Sequence, residues 1–195
     1  MRATILLGTL KASGLSNTQA LCEFLAGKLK QRGVEAEIVK LVDHPIPAGT
    51  YSNMGDGDGW PPILERLLQS EMIVFATPVW WGGHSSLIQR VIERLDELHD
   101  RIMEGKPSPL DGKVGGIVIT GDSDGAQHVI GNVGNFFNAV GLVLPPFATL
   151  SVLWEGQAKG KRPTREELLA KYESDYAQAA DRMIEQMLRY AQRQA

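Results

Sequence analysis

Five short apolar runs, with helix-period segments between them, constrain this chain more than any other feature. The first, Ala3-Thr4-Ile5-Leu6-Leu7, is unbroken and partly β-branched, as a strand covered on both faces is. Met72 to Ala76 and Val114 to Thr120 read as two more buried strands, and Phe147 to Trp154 as a final one. Val34 to Leu41 alternates apolar with charged residues, which predicts an edge strand with one wet face. Leu21, Phe24, Leu25, Lys28 and Leu29 recur at three- and four-residue spacing, predicting an amphipathic helix that stops at Gly33. Ile63 to Leu68 predicts a short helix. Leu87, Val91, Leu95 and Leu98 set one helical stripe running towards Ile102 and Met103, and Val129 to Val140 predicts another helix. After the basic link Lys159 to Arg162, Thr164 is placed to cap a long helix with Glu166 and Glu167 in its first turn. Leu169, Tyr172, Tyr176, Ala179, Met183 and Met187 mark its expected buried face. Five strands alternating with five helices predict a three-layer, doubly wound α/β fold with a five-stranded parallel sheet. At 195 residues, about 1.3 times the ~150-residue guide length, residues 1–195 are expected to form a single domain.

Composition narrows the function. Twenty Lys and Arg against 23 Asp and Glu give a formal charge of −3, which excludes nucleic-acid binding by bulk phosphate neutralisation. A hydrophobic content of 43% with 22% charged residues is that of a folded chain rather than a disordered one. The lone cysteine, Cys22, excludes an internal disulfide, a four-cysteine zinc site and an iron–sulfur cluster. It lies beside the apolar face of the first helix and reads as core. No apolar run approaches the ~18 residues that cross a bilayer, and Ala3 to Leu7 is too short for a secretory signal core. A soluble, cytoplasmic protein is expected. Residues 43–60 carry two prolines, four glycines and no periodicity, so they predict a long loop. Within it, Asp56-Gly57-Asp58-Gly59 lacks the remaining ligands of a calcium loop and reads as a turn in a substrate-facing flap.

Parallel α/β sheets bind ligands beyond the carboxyl ends of their strands, where strand order reverses. Three loops therefore matter. The first runs from Gly8 to Thr18, where Thr9, Ser13, Ser16, Asn17 and Thr18 supply four hydroxyls and an amide just where a helix N-terminus presents unpaired N–H groups. Such a terminus takes a phosphate readily. Ordinary capping by Ser16 or Asn17 is the alternative, but capping needs one such residue and this loop offers five. Neither G-x-x-x-x-G-K-[ST] nor G-x-G-x-x-G is present, and Lys11 is the loop's cation, so a monophosphate fits better than a triphosphate. The second loop, from Thr77 to Ser86, places Trp80 and Trp81 side by side before a glycine pair. A planar aromatic ligand suits that surface, unless a tryptophan packs into the core or a subunit interface. The third, from Thr120 to His128, is polar and holds Gly121 and Gly125, which let backbone donors approach a ring edge.

With these three loops in order, most of the chain resembles the flavodoxin-like superfamily, specifically the NAD(P)H-dependent FMN reductases and quinone-reductase-like flavoproteins. The resemblance implies the strand order 2-1-3-4-5 and bound FMN. It assigns Thr9, Lys11, Ser13, Ser16, Asn17 and Thr18 to the FMN phosphate, and Thr77, Pro78, Val79, Trp80, Trp81 and Gly82 to the isoalloxazine. Thr120, Gly121, Asp122, Gly125 and Gln127 lie beside the ring or ribityl chain. The helix with Leu87, Ile88, Arg90 and Arg94-Leu95-Asp96 also resembles the family's. Two positions depart from it: Lys11 stands where many members carry arginine, and Trp80-Trp81-Gly82 where they carry Tyr-Asn-Gly. One cysteine excludes the related iron–sulfur flavoproteins.

The implied activity is hydride transfer from NADPH or NADH to FMN and on to a quinone, an azo or nitro compound, or a flavin. The flavin carries the chemistry. No side chain is assigned as catalytic and no metal is expected, while Trp80, His84 and His128 are candidates for the substrate slot. The family implies a homodimer or homotetramer. The alternative is a flavodoxin-type electron shuttle without its own nicotinamide turnover, against which −3 is a weak steering charge. A receiver-like signalling domain needs acidic residues where the chain has Thr9 and Thr77.

Overall fold

The computed structural model describes residues 1–194. Strands β1 (Arg2–Leu7), β2 (Glu35–Lys40), β3 (Met72–Pro78), β4 (Val114–Gly121) and β5 (Thr149–Leu153) pair in the order β2-β1-β3-β4-β5, all parallel. The flavodoxin-like order and the edge position of β2 are as the sequence implies. The α-helices are α1 (Asn17–Gln31), α2 (Pro61–Gln69), α3 (Ser86–Arg94), α4 (Asp96–Met103), α5 (Ala126–Ala139) and α6 (Arg165–Gln194).

Alternation along the strands builds two cores. Ile5 and Leu7 of β1 and Val74 of β3 face α1 and α6, meeting Leu21, Leu25, Leu29, Tyr172 and Met183. Leu6, Ile73 and Phe75 face the other layer, with Trp60, Leu67, Val91, Val133 and Phe137. Phe75 and Phe137 meet edge to face at 5.0 Å between ring centroids, an arrangement that aromatic quadrupoles favour.

Two sequence expectations shift. The single stripe from Leu87 to Met103 is two helices, broken at Leu95. The cause is a competing acceptor: the Glu97 N–H bonds the Thr50 carbonyl of the long loop at 3.2 Å, leaving the helical ladder. The buried face of α6 is rotated by about one residue from the expected stripe. Leu168, Tyr172, Ala180, Met183, Ile184 and Met187 are buried, Leu169 and Tyr176 are partly covered, and Ala179 is exposed. Tyr172, common to the expected and the observed face, donates its hydroxyl to the Asn17 carbonyl of α1 at 3.1 Å while its ring lies in the core. Thr164 caps α6 as expected: its Oγ1 accepts from the Glu167 N–H at 3.2 Å, and the Glu167 carboxylate accepts from the Thr164 N–H at 2.7 Å.

Candidate functional site

The strand order reverses between β1 and β3, so the crevice lies where their carboxyl ends part. Gly8 holds those ends together. Its N–H donates to the Ala76 carbonyl at 2.7 Å, and a Cβ there would sit 2.5 Å from Ile88 and 2.7 Å from the Ser85 hydroxyl. Only glycine lets α3 approach so closely.

The first loop follows. Thr9 and Ser16 are buried, and the Ser16 hydroxyl donates to Thr9 Oγ1 at 2.9 Å while accepting from the Gln19 N–H at 3.3 Å. That is the N-cap of α1, so the capping alternative holds for Ser16 itself. It does not exhaust the loop. Among the described residues, the N–H groups from Ala12 to Thr18 have no acceptor in the protein. Thr18 crosses to the third loop, its hydroxyl 2.6 Å from that of Thr120, with both side chains buried. Ser13 is exposed and Asn17 half-buried.

The second and third loops pack on each other. Thr77 is buried and its Oγ1 accepts from the Ser85 N–H at 2.9 Å, where α3 begins. The Val79 N–H donates to the Thr120 carbonyl at 2.8 Å. Trp80 and Gly83 exchange backbone hydrogen bonds of 2.8 and 2.9 Å across a two-residue turn made by Trp81 and Gly82. Trp81 sits at φ 49° with its side chain wholly in solvent, and Trp80 is 51% exposed. Gly125, at φ 93°, opens α5, and a Cβ there would lie 2.9 Å from both Gly82 Cα and Val79. The positive φ and the close approach both require glycine.

Residues 1–152 match the sequence profile of the NADPH-dependent FMN reductases. The chain belongs to that family. Among curated relatives, a divalent metal cation transporter, MntH, of Mycobacterium bovis is 34% identical over 163 residues, covering 81% of this chain and 24% of that protein. The 8-demethyl-8-aminoriboflavin-5'-phosphate synthase of Streptomyces davaonensis is 31% identical over 168 residues, covering 81% of this chain and 65% of that protein. The match thus spans less than two thirds of either relative. A crystal structure of RosB with the bound intermediate 8-demethyl-8-formylriboflavin-5'-phosphate superposes with a TM-score of 0.80 at 26% identity, covering 99% of this chain and 79% of that one. Among the described residues no helix is long and apolar enough to cross a membrane.

The family's flavin, FMN, suits the donor set of this edge. The stretch from Gly8 to Thr18 contains no carboxylate, its backbone N–H groups are free, and α1 has no acidic residue in its first turn. The next carboxylate, Glu23, is drawn away by Arg165 at 2.6 Å and Gln19 at 3.1 Å. Hydrogen bonds pair Thr9 with Ser16 and Thr18 with Thr120, and close approaches bring Val79, Gly82, Gly121 and Gly125 together. Asp122, Gln127 and His128 are exposed, and His84 is half-buried with its Nε2 3.0 Å from Asn132 Oδ1 on α5.

Two groups escaped the sequence reading. Lys40, at the end of β2, reaches the first loop and donates to the Ala12 carbonyl at 2.8 Å. Its place at the carboxyl end of an expected strand was the available signal. The other is the pair Asp58–Arg94. The expected turn is present, with the Asp58 N–H reaching the Gly55 carbonyl at 3.2 Å. The Asp58 carboxylate is buried against the Arg94 guanidinium, with a contact of 3.1 Å, and accepts from the Met54 and Trp60 N–H groups at 2.9 Å each. The Arg94 hydrogen bond, above all, holds its carboxyl low, at about 2. Burial pushes the Cys22 thiol far above its usual range, consistent with an inert core cysteine.

Proposed function

We propose that this chain is an FMN-dependent NAD(P)H oxidoreductase that reduces a small acceptor. The observation that carries this reading is the run of acceptor-free N–H groups from Ala12 to Thr18, beside an exposed tryptophan pair at the same strand edge. Thr9, Ser13, Ser16, Asn17 and Thr18 hold the phosphate with the α1 N-terminus, and Lys11 adds charge. Thr77 to Gly82 border one side of the ring. The backbone of Thr120 to Gly125, with Gln127, borders the ring or ribityl chain. FMN held by these residues would supply two-electron redox chemistry between a nicotinamide and a quinone, an azo or nitro compound, or a second flavin.

The chain's own contribution is placement and field. Backbone N–H groups of the second and third loops stabilise negative charge on the ring as oxyanion donors do. Trp80 offers a half-exposed face to a flat substrate, with His128 and His84 at its margin. A second copy of the chain covers Trp81, whose indole touches nothing in one chain, giving a homodimer or homotetramer. One reduced cysteine suits a cytoplasmic setting.

One experiment tests this reading. The protein is loaded with FMN, desalted, and its absorbance followed under nitrogen as NADPH or NADH is added. Retained flavin bands that bleach with a nicotinamide support the reading and name the donor. Retained bands that neither donor bleaches support an electron shuttle instead. Flavin that leaves with a changed mass makes flavin phosphate the substrate, an outcome in line with the Streptomyces relative, whose name makes a modified riboflavin phosphate its product. A protein that retains no flavin overturns the proposal.

A further inference from the structure

Two ammonium groups hold the first loop, one from within and one from outside. Lys11 donates to the Leu15 carbonyl at 2.8 Å, closing the loop on itself. Lys40 comes from a different strand, and its Nζ donates to the Ala12 carbonyl at 2.8 Å. The Lys40 side chain is 20% exposed, and its other partner is Asp43 at 3.7 Å. Within the loop, hydrogen bonds are few: the Lys11 N–H reaches Thr9 Oγ1 at 3.3 Å, and the N–H groups after it are free.

Peptide geometry turns that outer bond into an inner one. The Ala12 carbonyl and the Ser13 N–H belong to one planar trans unit and point in opposite directions. Fixing the carbonyl towards Lys40 therefore aims the Ser13 N–H away from Lys40. The Lys11 bond does the same for the unit of Leu15 and Ser16. A flexible loop with exposed glycine and serine otherwise loses orientational freedom when an anion binds, and that entropy opposes binding.

We propose that Lys40 is a positioning residue for the flavin phosphate, locking the peptide between Ala12 and Ser13 so that the Ser13 N–H is preset as a phosphate donor. This rests on the FMN reading above. It makes a distinction that a general role in stability does not: Lys40 serves the phosphate ester and is indifferent to the ring. The ammonium also adds positive potential to a loop in which Lys11 stands where the family resemblance leads one to expect arginine.

The test compares FMN with riboflavin, which lacks the phosphate, by equilibrium dialysis against wild type, Lys40→Met and Lys40→Arg. Lys40→Met is expected to weaken FMN about tenfold, the scale of one charge-assisted hydrogen bond, and to leave riboflavin within twofold. Lys40→Arg restores most of the FMN affinity, and the phosphorus resonance of bound FMN shifts in the Met variant alone. If Lys40→Met does not fold, Lys40→Gln takes its place. Equal weakening of FMN and riboflavin overturns the proposal, as does an unchanged FMN affinity. Wild-type protein that binds FMN no better than riboflavin overturns the parent reading and this inference with it, and is recognised without any variant.

Discussion

Two irregular loops leave adjacent strands, and they solve the same problem in opposite ways. The first, from Gly8 to Ser16, leaves β1 with most of its N–H groups unpaired. The second, residues 43–60, leaves β2 and is tied down along its length. Arg90 donates to the Ile46 carbonyl at 2.7 Å, and Arg94 to the Pro47 and Tyr51 carbonyls at 3.3 and 2.8 Å. Glu97 accepts from the Ser52 N–H, and Asp58 from two more. Backbone polar groups away from water need partners. The longer loop finds them in α3 and α4 and becomes part of the fold. The shorter loop finds few, and its open donors are the ones we propose for the flavin phosphate.

The comparison breaks most decisively at Asp58. Removing one member of a buried ion pair leaves the other charged and unpaired, so Asp58→Asn should cost about 3–5 kcal/mol, read by urea denaturation. Arg94→Met should cost at least as much, since two loop carbonyls also lose their donor. Coupling appears in the double variant, which should be less damaged than the two single losses summed. FMN affinity of whatever remains folded should be unchanged, because this loop is architecture.

Acid should reach the same pair. The Asp58 carboxyl is held at about 2, below the usual carboxylate range, so the folded protein binds its proton less readily than the unfolded chain. The stability this contributes is fully present above about pH 4 and is lost as pH falls through about 2. Asp58→Asn should flatten that part of a stability profile. If both proteins lose stability in parallel there, the pair is not the acid-sensitive element.

The first loop should respond in the opposite proportion. Ser16→Ala removes the cap of α1 and the partner of Thr9, at a cost of about 1 kcal/mol in thermal or urea unfolding. FMN affinity should fall further than that modest loss of stability suggests. An affinity that is unchanged would reduce Ser16 to a cap.

The architecture was legible because strands buried on both faces must read as apolar runs, and β1, β3 and β4 do. Ser16 was legible as the cap of α1 because a hydroxyl at a helix N-terminus accepts from an orphan N–H. Lys40 and Asp58 were not, because their roles depend on partners 28 and 36 residues away. A charged residue at a strand end looks the same whether it faces solvent or a carbonyl. The break at Leu95 was hidden for a related reason: the α3–α4 stripe keeps its period, while the bond that interrupts it belongs to Thr50. On α6 the apolar pattern repeats on adjacent residues, and contact with the core buries Leu168, Ala180 and Ile184 where Leu169 and Ala179 were the alternatives.

The smallest expected effect sharpens the contrast from the tryptophan side. Trp81 occupies the left-handed region at φ 49° with its side chain wholly exposed, so within one chain it bears strain and gains no burial. Left-handed backbone costs a non-glycine residue about 1–2 kcal/mol, and glycine returns part of that by freeing the unfolded chain. Trp81→Gly should therefore stabilise the dilute, flavin-free monomer by about 0.5–1 kcal/mol, a rise of roughly 1–4 °C in melting temperature. The same change should weaken flavin binding or self-association, whichever surface the indole serves. A melting temperature that falls with the substitution, and falls more at high protein concentration, would place the indole in an interface between copies. Strain without burial in one chain is then the mark of a contact completed by another molecule, as the free N–H groups of the first loop are.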